Sequence, residues 1–204
     1  MDQFCPHRFV CLNVVLPVNM LHQNTLELTR SALAIVDMQE AFRTRIADFT
    51  KVAERIALLV QAARLLHLPI IVSEQYPKGL GHTATEITAV LPESIEIIEK
   101  TTFSSCGAPQ FRSQLEQAGA KQVLVCGIEA HICVNQTVHD LLAHDFQVHL
   151  LTDCISSRKV NDRKTASRKM HGSGAILSSV EMALFELMRD AKHEQFKAIQ
   201  GLIK

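Results

Sequence analysis

Residues 121–142, KQVLVCGIEAHICVNQTVHDLL, contain the clearest strand-to-helix transition in the chain. The apolar run 123–126 predicts a buried parallel strand that ends at Gly127. Beyond Cys133 the apolar residues recur at helical spacing, so this cysteine lies where a loop above the sheet becomes a helix. The free N–H groups of a helix start stabilise a thiolate, which predicts a reactive thiol. A small, inert core cysteine fits this stretch equally well.

Strands and helices alternate on both sides of this stretch. The apolar patterns predict strands over 31–36, 70–73, 95–99, 123–126, 146–151 and 175–178. Such alternation is typical of a parallel sheet with helices on both faces, here a three-layer α/β/α sandwich with a mostly parallel six-stranded sheet. We expect the domain to span 26–190, with an accessory extension over 1–25 and a polar, peripheral helical tail over 191–204.

The first 25 residues carry one acidic side chain and no regular pattern. Three interpretations remain open: a disordered leader, an added edge strand over 10–16, or a start site placed too early, with Met20 as the true start. No secretory cleavage pattern follows Arg8. We therefore predict a cytoplasmic protein, with organellar targeting by the extension left open, and no catalytic part for these residues.

Composition narrows the function classes. The chain has 21 basic and 21 acidic residues among 204, so neither nucleic acid nor an anionic membrane is an expected partner. Its six cysteines show neither a C-x-x-C motif nor paired zinc spacing, which favours a reduced protein with free thiols. Dinucleotide, P-loop and serine-elbow motifs are absent from the sequence. We expect a small-molecule substrate and no cofactor.

Three reactive side chains each follow a predicted strand, namely Asp37, Lys100 and Cys133. Ligands of open α/β sheets bind at the carboxyl ends of the strands, where these residues would meet. An ammonium there lowers the pKa of neighbouring acids, and a carboxylate can take a thiol proton and return it to a leaving amine. The thiol would then attack a carbonyl and form an acyl-enzyme.

The motifs around these residues, VDMQ, EKTTFSS and GIEAHICVNQT, resemble those of the isochorismatase-like cysteine hydrolases. GIEAHICV and EQYPKGLG are most similar to the isochorismatase domain-containing, YcaC-type subgroup. The resemblance implies that Asp37, Lys100 and Cys133 form a catalytic triad. It also implies a cis peptide between Ile128 and Glu129, and an oxyanion hole formed by the N–H groups of Glu129 and Cys133.

The resemblance covers about 31–188 and implies further properties. Relatives place pocket residues where this chain has Gln39, Phe42, Gln75 and Tyr76. They commonly form homo-oligomers, so we expect a dimer or larger. The Asp-x-His metal motif of nicotinamidases is missing here, which predicts no metal. True isochorismatases lack the nucleophilic cysteine, so the C–N bond of a small amide is the expected target.

Two other interpretations remain. His131 could be the base of a Cys–His hydrolase, although residues two apart near a helix start seldom face each other. Alternatively, the protein has kept the fold without catalysis and acts as a redox sensor or scaffold, with Cys126 or Cys154 as its reactive thiol. A catalytic Cys133 would depend on both Asp37 and Lys100, whereas a sensor would oxidise reversibly without turning over amides.

Overall fold

The computed structural model describes residues 21–204, so the expectations of an edge strand over 10–16 and a start at Met20 lie outside the described residues. The strands are β1 (Ser31–Val36), β2 (Ile70–Gln75), β3 (Ile97–Lys100), β4 (Gln122–Ile128), β5 (Gln147–Ser156) and β6 (Ile176–Ser178). The helices are α1 (Phe49–Leu65), α2 (Pro77–Leu80), α3 (Thr85–Thr88), α4 (Pro109–Gln117), α5 (Asn135–Ala143), α6 (Val160–Gly172), α7 (Val180–Met188) and α8 (Phe196–Ile203).

The six strands form one parallel sheet in the order β3-β2-β1-β4-β5-β6. This arrangement confirms the predicted parallel α/β sandwich. Every residue of the central strands β1 and β4 is buried, as continuous apolar runs require when helices cover both faces. Within the described residues, none of the helices has the length and apolar character needed to cross a membrane.

Strand β4 does not end at Gly127 as predicted but continues to Ile128. Gly127 has a φ of 117°, and a Cβ there would lie 1.9 Å from the Val36 carbonyl oxygen. Only glycine permits this backbone conformation and this approach of β4 to β1. The close approach brings the end of β1 beside the turn that leads to Cys133.

The tail also differs from expectation, because α8 packs on the body of the domain. Ile199 is fully buried, and Phe196, Leu202 and Ile203 pack against the same apolar cluster, which includes residues of α1 and α7. These side chains form one apolar stripe on a short helix, and burying it stabilises the helix. A second cluster on the opposite face of the sheet includes residues of α4, α5 and α6.

Candidate active site

Asp37 directly follows β1, and Lys100 is the last residue of β3. Strand β2 lies between these two strands, so the two long side chains meet across its carboxyl end. The Lys100 Nζ lies 2.6 Å from the Asp37 Oδ2, and the side chains are 0% and 2% exposed, respectively. The pair is therefore a buried, charge-assisted hydrogen bond.

Three further acceptors hold the Lys100 ammonium in place. They are the side-chain Oε1 of Gln75 at 3.0 Å and the backbone carbonyls of Thr102 at 3.1 Å and Phe103 at 2.9 Å. An ammonium carries three protons and no lone pair, so these oxygens and Asp37 account for all of its hydrogen-bonding capacity. The ammonium is fixed beside Asp37 and is shielded from water.

The Asp37 carboxyl is subject to opposing influences. Burial raises its pKa, while the charge and hydrogen bond of Lys100 oppose that rise. Its other oxygen, Oδ1, accepts a hydrogen bond from the Ser73 hydroxyl at 3.0 Å. A carboxylate with a raised pKa is a better proton acceptor than an exposed aspartate, which suits a general base.

Cys133 lies in the π-helical turn Ala130–Val134 that precedes α5, and it is 8% exposed. Its thiol and the Asp37 carboxyl are close neighbours, so each shifts the pKa of the other. Burial raises the pKa of the thiol, the negative charge of Asp37 raises it further, and Lys100 opposes both effects. The expectation that the helix start and Lys100 lower the pKa of this thiol is not met, because burial and the charge of Asp37 raise it.

The peptide between Ile128 and Glu129 is cis, which confirms that expectation. The Glu129 carboxylate is buried and accepts hydrogen bonds from the backbone N–H and the Nε of Arg158, both at 3.0 Å. Its carbonyl accepts from the N–H groups of Ile132 at 3.0 Å and Val134 at 3.3 Å. The Glu129 side chain is therefore bound within the protein, and its backbone shapes the turn that carries Cys133.

Gln39 and Gln75, predicted to contact substrate, are engaged with the protein itself. Gln39 is fully buried, and its amide donates to the carbonyls of Gly81 at 2.6 Å and Gln75 at 3.1 Å while accepting from the Gln75 N–H at 2.7 Å. The Gln75 amide in turn donates to the Thr101 carbonyl at 2.7 Å and accepts from Lys100. Both glutamines thus hold the loops around the ammonium.

A cavity of about 420 Å³ lies beside the triad, at the edge of the sheet. Tyr76, which is 55% exposed, lines it together with Lys100, Thr102 and Pro109. Asp37 and Cys133 do not line this cavity, so it meets the margin of the triad and not the thiol itself. Phe42 is partly buried and packs against the apolar core.

A protein-family model described as the isochorismatase domain matches residues 31–182 of this chain. The chain belongs to the isochorismatase domain family. Isochorismatase domain-containing protein 2 of Danio rerio is 43% identical over 174 residues, which cover 85% of this chain and 86% of that protein. The range matched by the family model, residues 31–182, spans all six strands and the positions of Asp37, Lys100 and Cys133.

Two solved structures show the same fold. The MAR1 ribonuclease of Caenorhabditis elegans has a TM-score of 0.84 and 41% identity, covering 88% of this chain and 92% of that one. The Escherichia coli YcaC protein, described as an octameric hydrolase of unknown specificity, has a TM-score of 0.81 and 22% identity, covering 88% and 89%. The second similarity shows the isochorismatase-like fold alone.

In this isochorismatase domain, His131 is directed to partners other than the thiol. Its Nδ1 lies 3.0 Å from the Ser157 hydroxyl, and its Nε2 lies 3.9 Å from an Asp162 carboxylate oxygen. Both ring nitrogens therefore face the segment that runs from the end of β5 into α6. The geometry favours Asp37 over His131 as the base for Cys133.

Sequence reasoning missed three hydroxyl residues behind Asp37, namely Ser73, Ser105 and Thr137, all of them fully buried. One signal was present in the sequence, because Ser73 interrupts the apolar run of strand β2. A buried hydroxyl requires a hydrogen-bond partner, and Asp37 is that partner.

Proposed function

We propose that this isochorismatase domain is a cysteine hydrolase that cleaves the C–N bond of a small amide through a thioester on Cys133. One observation carries the proposal: at one edge of the sheet a buried carboxyl, Asp37, contacts a fixed ammonium and has a buried thiol as its neighbour. In this arrangement Cys133 is the nucleophile, Asp37 transfers the proton, and Lys100 keeps Asp37 ionised despite its burial.

Acylation begins from the neutral thiol. As the Cys133 sulfur bonds to the carbonyl carbon, its proton passes to Asp37, and the carbonyl oxygen gains a negative charge. Lys100 then faces a neutral carboxyl, so its ammonium stabilises the charge that develops in the site. When the tetrahedral intermediate collapses, Asp37 gives the proton to the departing amine, and the C–N bond breaks to leave a thioester.

The oxyanion requires hydrogen-bond donors that are not already in use. Within residues 21–204, the Glu129 N–H donates to no protein acceptor. We assign the oxyanion hole to this group together with the Cys133 N–H, in agreement with the family resemblance. In deacylation Asp37 takes a proton from water, the hydroxide attacks the thioester, and the proton returns to the Cys133 sulfur as the acid product leaves.

We assign the outer wall of the substrate pocket to Tyr76, which lines the cavity, with Gln39 and Gln75 as positioning residues. Phe42 is proposed as a pocket residue on the family resemblance alone. The triad is almost closed to solvent, so the substrate must be small or must enter through a local movement beside the cavity. The proposed steps use side-chain and backbone groups of one chain and no cofactor. Homo-oligomer formation remains part of the proposal, since the YcaC relative is an octamer.

A second candidate activity comes from the relative that is described as a ribonuclease. Cleavage of RNA at a site of this kind would require a phosphodiester to reach Cys133, which is 8% exposed. The net charge of zero offers no general attraction for a polyanion. Amide hydrolysis is therefore the better supported reaction, and RNA is the competing substrate in the assay.

The first test is iodoacetamide labelling of each cysteine across pH, with rates obtained by peptide mass spectrometry. Cys106 is the internal comparison, because it is more exposed than Cys133 while burial raises its pKa to about 12. General-base assistance is worth about 10²-fold, so Cys133 should label faster than Cys106 despite its lower exposure. Asp37→Asn should remove that advantage and leave the Cys106 rate unchanged.

The second test measures hydrolysis of a panel of small amides by release of the amine, with RNA in parallel. Cys133→Ala should abolish the activity, and Cys106→Ala should retain it. Cleavage of RNA by the wild type and by Cys133→Ala alike would point to a different site. A Cys133 that labels more slowly than Cys106, or that oxidises reversibly without any amide turnover, would favour the redox-sensor interpretation.

A further inference from the structure

The two oxygens of the Asp37 carboxylate have different partners. Oδ2 binds Lys100 at 2.6 Å, and Oδ1 accepts from the Ser73 hydroxyl at 3.0 Å. Ser73 belongs to β2, the strand between those that carry Asp37 and Lys100. The proposed mechanism gives a role to the first contact and leaves the second unexplained.

The second contact continues away from the site. The Ser73 Oγ lies 2.9 Å from the Ser105 Oγ, and the Thr137 Oγ1 lies 3.3 Å from the same Ser105 oxygen. The backbone N–H of Ser105 donates to the Thr137 Oγ1 at 2.9 Å. All three hydroxyl residues are fully buried, so no bulk water competes for their protons.

The directions of these hydrogen bonds follow from the number of protons. Each hydroxyl has one proton, and an ionised carboxylate can only accept. Ser73 therefore donates to Asp37, so it must accept from Ser105, and Ser105 must accept from Thr137. The Thr137 oxygen accepts from the Ser105 N–H, which anchors the far end. All three protons then point toward Asp37.

We propose that Ser73, Ser105 and Thr137 form a hydroxyl chain that holds Asp37 ionised and oriented for proton transfer from Cys133. The inference rests on the proposed function, because it assigns Asp37 as the base. Aligned hydrogen bonds polarise one another, so the donor that faces Asp37 is strengthened by the hydroxyls behind it. The three are positioning residues, because they act on Asp37 and do not contact the reacting atoms.

The proposed hydroxyl chain predicts that loss of each hydroxyl changes the pH dependence of Cys133 alkylation by a different amount. Loss of a donor to the carboxylate raises the pKa of Asp37, so the acid limb of the rate profile moves to higher pH. We expect Ser73→Ala to move it by about one pH unit, equivalent to about tenfold in rate below the limb. Thr137→Val keeps the side-chain shape and removes the hydroxyl two links farther away, and should move the limb in the same direction by about a third of that.

Thr137→Ser is the matched control, since it keeps the hydroxyl and should restore the limb relative to Thr137→Val. A merely structural role would lower the melting temperature of both Thr137 variants without separating their pH profiles. If Ser73→Ala does not fold, the two Thr137 variants still decide the question. If the acid limbs of the alkylation-rate profiles coincide for wild type, Thr137→Val and Thr137→Ser, the proposed hydroxyl chain is wrong.

Asp37→Asn, measured in the same series, separates the two proposals. If Asp37→Asn leaves Cys133 alkylation unchanged, the proposed function itself is wrong. If Asp37→Asn abolishes the enhanced alkylation while Ser73→Ala and Thr137→Val leave the acid limb in place, only the hydroxyl chain is wrong. A limb that moves with the loss of each hydroxyl and returns in Thr137→Ser supports both.

Discussion

Replacing Lys100 with methionine removes one charge of a buried pair and leaves the other without compensation. The Lys100 and Asp37 side chains are 0% and 2% exposed, so water cannot replace the lost ammonium. Breaking a buried ion pair by removing one partner costs about 3–5 kcal/mol. The Thr102 and Phe103 carbonyls also lose their donor, so we expect a loss near the upper end of that range at pH 8.

The loss should depend on pH, because Asp37 can escape the penalty by binding a proton. Burial already raises the pKa of Asp37, and without Lys100 nothing of comparable size opposes that rise. A carboxyl whose pKa is raised by folding stabilises the native state at low pH, and this contribution is lost as pH rises through the folded-state pKa. Lys100→Met should therefore be closer to wild type at pH 5 than at pH 8, with a slope of up to about 1.4 kcal/mol per pH unit.

Urea unfolding of each variant at pH 5 and pH 8 measures these differences. The double variant Lys100→Met with Asp37→Asn removes both charges and should recover at least about 2 kcal/mol relative to Lys100→Met alone. Lys51→Met, on the exposed face of α1, is the control and should stay within about 0.5 kcal/mol of wild type. A loss below about 1 kcal/mol for Lys100→Met at pH 8, or an equal loss at both pH values, would refute the buried-pair reasoning.

Three other expectations concern single groups. Burial lowers the pKa of His149 to about 4, whereas the unfolded-state pKa is about 6.5, so the free energy of unfolding should fall as pH is lowered from 6.5 to 4. In His149→Gln the free energy of unfolding, measured with guanidinium, should depend less on pH over this range. Equal pH dependence in wild type and variant would contradict this. Burial raises the pKa of Cys126 and Cys154, so the free energy of unfolding should decline as pH rises above about 9. The decline should be less steep in Cys126→Ala, and an equally steep decline in that variant would contradict the raised pKa of Cys126. Cys133→Ala should lose amide hydrolysis with a melting temperature within a few degrees of wild type, and residual turnover would exclude it as nucleophile.

Local sequence patterns were sufficient for the architecture. Apolar runs and helical spacing predicted all six strands, because a strand buried on both faces must be apolar throughout. They were less successful at strand ends. Gly127 was taken as the end of β4, since glycine commonly interrupts strands, whereas its missing side chain here admits the Val36 carbonyl. That contact is between distant residues, and no local pattern records it.

The motifs of the candidate site likewise identified its residues better than its chemistry. Asp37, Lys100 and Cys133 were named from their places after strands and from family resemblance, and the structure brings them together. The direction of the Cys133 pKa shift was not predicted, because the sequence showed a helix start and concealed the burial of the thiol. The sequence also did not show that the Gln39 side-chain amide bonds to the backbone of two loops, which is why we assign it a positioning part.

The sequence by itself therefore determined the order of strands and helices, the family, and the residue types at the carboxyl edge of the sheet. These depend on the periodicity of apolar residues and on short contiguous motifs, both of which are properties of neighbouring positions. Only the tertiary structure decided the direction of the Cys133 pKa shift and the hydrogen bonds among the hydroxyl groups behind Asp37. Those depend on desolvation and on hydrogen bonds between residues 32 to 63 positions apart in the chain, which only folding brings together.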